Sequence, residues 1–321
     1  MSGASTHAAG PVALAPATPK LPRLSAAASG LIRCPSCGAH IEVGETVARC
    51  RNDECAATFH RSAAGTWDLR LTKPKVVLRT SSIGIPQPTG VDGRVLANNP
   101  TPEVDWSGMA RPKGLRRRLQ SHLPRATVRS MPMLDVGCGT ADLAPVFRHC
   151  GFEYVGVDVC GDAPSVLADA MALPFADESF GFAWSNAVLQ YVSYPDVALA
   201  EIARVLQPGA VFIGSIGFIE TFDGANMHLT TWRGARQLFA DAGFTIEHLG
   251  PDDRWTGTLA LFRALFPGLP FMLSSALVSP VNAVSRLYWQ AAHRIRPAVN
   301  PNERLVKITG GLEFILRKPA Q

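Results

Sequence analysis

The sequence predicts an α/β protein built on a doubly wound, mainly parallel sheet, with a small cysteine-rich module on its N-terminal side. Between residues 133 and 249, short apolar runs of strand length alternate with longer segments of helical periodicity. This alternation is typical of a parallel sheet that is covered by helices on both faces. Four of the seven cysteines lie between residues 34 and 55, which sets this segment apart from the rest of the chain.

The individual strands and helices follow from local patterns of apolar residues. Strands are predicted at 133–136, 154–159, 165–168, 180–185, 210–216, 245–249 and 312–316. Helices are predicted at 114–122, 142–150, 195–206 and 230–242. The third of these helices has one apolar face and ends before Pro208-Gly209, a pair that breaks helices, and the fourth is closed by Gly243.

The link between the second and third predicted strands is unusually short, since it comprises only residues 159–164. A parallel crossover normally takes about 10–12 residues or more. Two interpretations follow: either the third strand is a stub, or a loop replaces the usual crossover helix.

The amino-acid composition of the remaining segments predicts how the chain is divided into a tail, a linker and domains. The N-terminus is rich in Ala, Pro and Ser and lacks acidic residues, which predicts disorder. Prolines and glycines predict an extended connector before the α/β domain. The predicted organisation is a disordered tail at 1–30, a cysteine module at 31–72, a linker at 73–108, and the α/β domain at 109–321.

An apolar segment at 257–292 is inserted between the last two predicted strands. It is expected to form short helices broken at Pro267, Pro270 and Pro280 that cap a substrate pocket. A surface that contacts a membrane and a buried helical subdomain are the alternatives.

Charge and hydropathy exclude some classes of protein. The net charge of +5 over 321 residues is lower than a dedicated nucleic-acid binder usually carries. No apolar run reaches the ~18 residues of a membrane-spanning helix. An odd number of cysteines, clustered at metal-ligand spacing, indicates a reducing compartment. A cytoplasmic location is therefore expected, with peripheral membrane association as an option.

The clustered cysteines predict a structural zinc site. Two short loops, Cys34-x2-Cys37 and Cys50-x4-Cys55, can each direct two thiolates at one tetrahedral ion. Four sulfur ligands leave no open position, so the metal would stabilise a segment too small to fold alone. His60 is a less natural replacement ligand, and four ordinary buried cysteines are the alternative.

A glycine-rich turn after the first α/β strand predicts a nucleotide-type ligand. Asp135 ends the strand, and Gly137 and Gly139 allow the backbone to approach a ligand without a Cβ in the way. Asp158, at the end of the next strand, can accept hydrogen bonds from ribose hydroxyls. A dinucleotide fingerprint would require glycine where Asp142 stands, whereas an acidic strand end suits a ligand with a positive α-amino group.

These motifs resemble the class I S-adenosylmethionine-dependent methyltransferases of type 11, which have a Rossmann-like fold. The resemblance covers roughly residues 130–249. The motifs that carry it are Leu134-Asp-Val-Gly-Cys-Gly-Thr140, Asp169-Ala-Met-Ala-Leu-Pro-Phe175, Ser185-Asn-Ala-Val-Leu-Gln-Tyr-Val192 and Glu201-Ile-Ala-Arg-Val-Leu-Gln-Pro-Gly209. Ala141 stands where the family often has Gly, and Tyr191 where it often has His.

The resemblance implies a role for each site residue. Asp135, Gly137 and Gly139 would contact the methionine part of adenosylmethionine, and Asp158 would hold the ribose. Three further residues complete the expected cofactor site, with Asp169 and Ala170 beside the adenine and Asn186 beside the sulfonium. His228 is the candidate catalytic base, while Tyr191 and Trp232 are expected either in the acceptor pocket or in the core.

The segment from Cys50 to Arg70 resembles the zinc-ribbon module of the activator subunits of tRNA methyltransferases. A ribbon of this kind implies either substrate docking or packing against the catalytic domain. The resulting hypothesis is a methyltransferase that acts on a small-molecule, sugar or lipid-like acceptor. An RNA methyltransferase, suggested by the ribbon and by basic clusters at 111–118 and 286–296, is one alternative. A cofactor-binding scaffold without activity is the other.

Overall fold

The computed structural model describes residues 24–72, 75, 93–112, 114–219, 225–252, 254–298 and 302–320. Most of the predicted tail and the first half of the predicted linker lie outside these residues. The tail prediction is wrong for its last residues, because Ser25 caps a short helix that buries Ala28. The second half of the linker has no helix or strand, yet it buries Leu96 and Val104 in the core.

Eleven strands and eight α-helices are present in the described residues. The strands are β1 (Ile41–Val43), β2 (Val47–Cys50), β3 (Thr58–Arg61), β4 (Trp67–Asp68), β5 (Pro132–Val136), β6 (Glu153–Asp158), β7 (Val166–Leu167), β8 (Phe180–Asn186), β9 (Leu206–Gly217), β10 (Thr245–Pro251) and β11 (Gly311–Arg317). The helices are α1 (Ala26–Gly30), α2 (Arg117–Ser121), α3 (Ala144–His149), α4 (Pro195–Val205), α5 (Trp232–Asp241), α6 (Gly257–Leu265), α7 (Phe271–Ile295) and α8 (Glu303–Lys307).

All described strands belong to one sheet, in the order β1-β2-β3-β4-β7-β6-β5-β8-β9-β11-β10. Neighbours from β4 to β9 pair in parallel, whereas β11 pairs antiparallel with both β9 and β10. The predicted α/β class is therefore confirmed. The sequence did not predict that the cysteine module (β1 to β4) would continue this sheet.

The cysteine module joins the α/β domain at the short link noted in the sequence. Strand β4 pairs in parallel with β7, with Trp67 opposite Val166 and Asp68 opposite Leu167. Strand β7 has only two residues, and a loop connects it to β6. Both interpretations of the short link are thus correct, and β4 occupies the side of β7 that faces away from β6.

The region around Pro208-Gly209 differs from the prediction. Helix α4 ends at Val205, but β9 begins at once with Leu206 and includes the proline and glycine. The register with β8 shifts at this point, because Phe180 pairs with Leu206 and Phe182 pairs with Val211. The pair thus forms a bulge inside a strand rather than a loop before it.

One arginine of the basic cluster at 111–118 forms ion pairs with buried carboxylates. Arg116 forms an ion pair with Asp252 and a second one of 2.6 Å with Glu313. Both carboxylates are almost completely buried. Arg116 therefore joins the segment before β5 to β10 and β11.

The insertion at 257–292 is helical, as expected, but Pro280 does not break it. Helix α7 runs through this proline for 25 residues. Only Ser274 and Val278 of α7 are buried, so the segment is not a buried subdomain either. Among the described residues, no helix combines the length and apolar character needed to cross a bilayer.

Candidate cofactor site and cysteine cluster

The turn after β5 has the backbone geometry that its glycines suggest. Gly137 and Gly139 have φ of 72° and 53°, values that favour glycine. The amides of Gly137 and Cys138 both donate to the carbonyl of Val157, which ties the turn to β6. Ala141 also has a positive φ, of 56°, so the alanine found where the family often has glycine occupies a strained position.

Two cavities meet at this turn. The larger has a volume of about 390 Å³ and is lined by Asp158, Asp169 and Ala170. The smaller has a volume of about 210 Å³ and is lined by Asp135 and Gly139. Gly137 and Asn186 line both cavities. The structure thus brings together all seven residues predicted to hold the cofactor.

Asp135 is the buried acid of the smaller cavity. Its Oδ2 accepts a hydrogen bond of 2.8 Å from the Tyr154 hydroxyl. Burial raises the pKa of this carboxyl group to about 7, although the Tyr154 bond acts in the opposite direction. A cationic group in the cavity would favour the ionised form. The site is therefore suited to an ammonium group, which Asp135 would bind as its counter-ion.

Asp158 is the last residue of β6 and lies next to the glycine turn that follows β5. Its Oδ2 accepts a hydrogen bond of 2.9 Å from the amide of Gly139, and its Oδ1 accepts one of 2.7 Å from the amide of Val159. Each carboxylate oxygen can accept more than one bond. Asp158 therefore fixes the glycine turn and still has acceptor capacity for ligand hydroxyls in the larger cavity.

The remaining predicted residues are held by local hydrogen bonds. Asp169 caps a short 3-10 helix (Ala170–Ala172) by accepting a bond of 2.8 Å from the amide of Met171. The Asn186 Oδ1 accepts a bond of 2.8 Å from Ser215, which lies on the neighbouring strand β9. These bonds limit the rotamers of both side chains before a ligand binds.

The larger cavity also has an apolar wall, whose residues were not among the predicted site residues. This wall is formed by Val136, Val157, Met171, Val188 and Val192. An apolar wall suits an aromatic ring such as adenine. Val188 and Val192 belong to the segment 185–192 that resembles the family. Val136 and Val157 lie at the ends of predicted strands, and this position was the signal that could have identified them.

The weaker candidates separate into two groups. Tyr191 lines the larger cavity, whereas Trp232 is buried and its indole donates to the carbonyl of Leu249. His228 lines neither cavity, but its Nε2 lies 2.9 Å from the carbonyl of Ser193, which does line the larger one. Since a carbonyl only accepts, Nε2 carries the proton and Nδ1 is the basic nitrogen. A catalytic role for His228 stays a prediction.

The four clustered cysteines converge on one point. The sulfur atoms of Cys34, Cys37, Cys50 and Cys55 all lie within 4.8 Å of one another. The Cys34–Cys55 distance is 3.8 Å and the Cys37–Cys50 distance is 3.4 Å. A tetrahedral zinc ion with Zn–S bonds of about 2.3 Å separates its sulfurs by about 3.8 Å. The donor set fits such an ion, and His60 is not part of it.

Comparisons with known proteins find methyltransferase relatives for part of the chain. Residues 134–214 match the family model described as a methyltransferase domain. An uncharacterized methyltransferase of Mycobacterium avium is 34% identical over 122 residues, which cover 34% of this chain and 48% of that protein. The malonyl-[acyl-carrier protein] O-methyltransferase of Pseudescherichia vulneris is 32% identical over 108 residues, covering 30% of this chain and 41% of that protein.

Solved structures with a similar fold include the [4+2]-cyclase SpnF, with 24% identity and a TM-score of 0.41 over 61% of this chain and 77% of that chain. Another is a complex that contains the Haloferax volcanii Trm112 methyltransferase activator, with 20% identity and a TM-score of 0.42 over 63% of this chain and 87% of that chain.

The sheet order and the glycine turn are those of a Rossmann-like α/β domain. Within it, residues 134–214 carry the sequence pattern of a methyltransferase domain. The match spans about half the length, or less, of the curated relatives.

A substitution at Gly137 tests the geometry of the turn. A Cβ at this position would lie 2.2 Å from Cγ2 of Val188, which itself lines the larger cavity. Gly137→Ala is therefore expected to lower adenosylmethionine affinity roughly tenfold or more, as measured by calorimetry. Adding Val188→Ala removes the two closest contacts and leaves only the Cβ of residue 188 at 3.0 Å, so it is expected to restore part of the affinity. Parental affinity in the single variant would contradict this account.

Proposed function

We propose that the protein transfers a methyl group from adenosylmethionine to a small-molecule, sugar or lipid-like acceptor. One observation carries the proposal: of two adjoining cavities, one has the buried carboxyl group of Asp135 and the other has the carboxylate of Asp158 beside an apolar wall. This order of groups matches the order of amino acid, ribose and adenine along adenosylmethionine. The proposed site consists of Asp135, Gly137, Gly139, Asp158, Asp169, Ala170 and Asn186.

The cofactor supplies an electrophilic methyl group on its sulfonium, and the chain's residues would position it. Asp135 would bind the α-amino group at one end, while Asp158 would hold the ribose hydroxyls near the centre. Asn186 lines both cavities, so it would stand beside the sulfonium. Transfer is an in-line displacement, which orientation and exclusion of water can accelerate without a dedicated base.

His228 is proposed as a general base for acceptors that must lose a proton. Its Nε2–H is engaged by the Ser193 carbonyl, which fixes the ring and leaves Nδ1 as the proton acceptor. Among relatives with a named acceptor, one methylates malonyl groups on an acyl-carrier protein. An acyl or lipid-like acceptor is consistent with that relative.

We further propose that the cysteine cluster holds one structural zinc ion in the ribbon. Support comes from the mutual sulfur distances and from the closed donor set of four thiolates. Because the ribbon pairs with β7, we infer that its main role is packing against the catalytic domain and not substrate docking. Seven unpaired thiols within the described residues suit a reducing location such as the cytoplasm.

Asp158→Ala tests the proposed function. The substitution removes charge-assisted hydrogen bonds of about 1.5–3 kcal/mol each, so affinity for adenosylmethionine is expected to fall by at least about tenfold. Transfer of a labelled methyl group to fractionated cell extract should fall with it. Asp162→Asn is the matched control, because Asp162 is exposed in the same loop and lines neither cavity. Equal affinity in the parent and the Asp158→Ala variant would remove Asp158 from the site.

A further inference from the structure

Helix α7 carries a long row of exposed apolar side chains, here called the α7 apolar face. Its members are Leu273, Leu277, Val281, Val284, Tyr288 and Ile295, with exposures from 47% for Leu273 to 79% for Ile295. Single exposed apolar residues are common on protein surfaces, but a continuous row is not. A surface of this kind is typical of a site that binds a partner.

The spacing of these residues places them on one side of the helix. They follow one another at intervals of three, four or seven residues, the repeat of a helical face. The opposite side attaches α7 to the body: Ser274 and Val278 are buried, and Asn282 accepts a hydrogen bond of 2.7 Å from Thr258 of α6. The α7 apolar face therefore points away from the protein.

The connection between α6 and α7 extends the same surface. Leu265 and Phe266 at the end of α6 are 63% and 51% exposed, and Phe271 and Met272 at the start of α7 are 44% and 79% exposed. None of these residues lines either cofactor cavity. The expectation that the segment caps the acceptor pocket therefore finds no support, and the surface is available to another partner.

The charges of this segment have a single sign. The chain has 26 acidic residues, but none lies between residues 257 and 300. The same stretch contains Arg263, Arg286, Arg294 and Arg296. Arg263 donates to the Leu269 carbonyl and Arg286 lines a cavity on the body side of α7, so the adjoining arginines are the exposed Arg294 and Arg296 at the end of the helix. A second copy of the chain would bring like charges together without any acid on this segment to pair them. An anionic surface is the complementary partner.

We propose that the α7 apolar face and the adjoining arginines dock the protein on an anionic lipid bilayer. Helix α7 would lie in the plane of the interface, with its apolar side chains among the upper acyl chains and its arginines at the headgroups. Binding of this type combines burial of apolar surface with attraction to negative lipids. The inference does not depend on the proposed methyl transfer, because no residue of the cofactor site takes part.

Vesicle sedimentation with the full chain tests the proposal. The protein is expected to sediment with vesicles of phosphatidylcholine and phosphatidylglycerol, but much less with phosphatidylcholine alone, and higher salt should release it. Leu277→Asp/Val284→Asp is expected to reduce partitioning by at least about tenfold, since two apolar contacts are replaced by negative charges. Both positions are more than half exposed, so the variant should keep the parental melting temperature.

Two controls complete the test. Val128→Asp places the same charge at a residue that is 60% exposed outside this segment, and it should bind vesicles as the parent does. Met272→Asp changes a residue at the start of α7 and should also weaken binding to the vesicles. It replaces the double variant in the test if that variant is unstable. Absence of binding by the parent, or full binding by both α7 variants, would overturn the proposal. A parent that forms dimers, lost in the double variant, and ignores vesicles would assign the surface to a second copy instead.

Discussion

Cys37→Ser is expected to release the metal and unfold the ribbon. Purified parent protein should contain about one equivalent of zinc, and the variant much less. Removal of one of four thiolates breaks the closed ligand shell, and structural zinc contributes about 10–16 kcal/mol in small zinc modules. Cys37 is exposed, so replacing sulfur with oxygen has little effect on packing.

The loss should extend beyond the ribbon, since β4 is paired with β7. Arg70 follows β4 and donates a hydrogen bond of 3.0 Å to the carbonyl of Val159, the residue after Asp158. The Arg70 side chain is itself oriented by Asp68, and this ion pair lowers the pKa of the Asp68 carboxyl group. Hydrogen exchange should therefore increase in both β4 and β7, and adenosylmethionine affinity should decrease.

Cys160→Ser is the matched control for the metal measurement, because Cys160 is also exposed but lies outside the cluster. It should retain the parental zinc content. If the Cys37→Ser protein keeps full zinc occupancy and a protected β4, the ribbon assignment is wrong. If it loses zinc but keeps parental cofactor affinity, the ribbon does not support the loop at Val159.

Arg116→Met is expected to destabilise the fold by about 3–5 kcal/mol, the usual cost of removing one partner from a buried ion pair. The side chain of Arg116 is 19% exposed, and those of its partners Asp252 and Glu313 are 4% and 1% exposed. Methionine has similar length and apolar character, so the variant removes mainly the charge. Two buried carboxylates would then face each other without a cation.

Urea unfolding measures this effect. Arg117→Met, at the next and exposed position, is the control and should change the free energy of unfolding by less than about 0.5 kcal/mol. A triple variant in which Asp252 and Glu313 are also replaced by Asn and Gln should recover part of the loss, because no buried charge remains. A loss below about 1 kcal/mol in Arg116→Met would show that water reaches the two carboxylates.

Local patterns were sufficient for the parallel core. The strands from β5 to β8 lie within one or two residues of their predicted positions, because buried apolar runs next to glycine turns are local signals. Asp135, Gly137, Gly139 and Asp158 could be proposed from the strand ends, where parallel strands place their ligands, whereas Asp169, Ala170 and Asn186 followed only from the family resemblance. The four cysteines were found because their spacing alone indicates a common ion.

Long-range pairings could not be predicted from local patterns. Strand β4 has two residues, Trp67–Asp68, too few to show any alternation, and its partner β7 is equally short. The partners of Arg116 lie more than a hundred residues away in the sequence, so a local cluster of arginines gave no sign of them. Pro280 was expected to end a helix, because an interior proline costs about 3 kcal/mol, yet α7 continues through it.

The parallel pair of β4 and β7 also affects how the protein is made. The ribosome completes β4 about a hundred residues before β7, a delay of roughly 5–20 seconds at ordinary rates of synthesis. During this interval the ribbon has its cysteines but lacks the strand that later covers its edge. Binding of a zinc ion at this stage would keep the new ribbon folded while the edge of β4 is still unpaired. Metal supply during translation is therefore expected to influence the yield of intact protein.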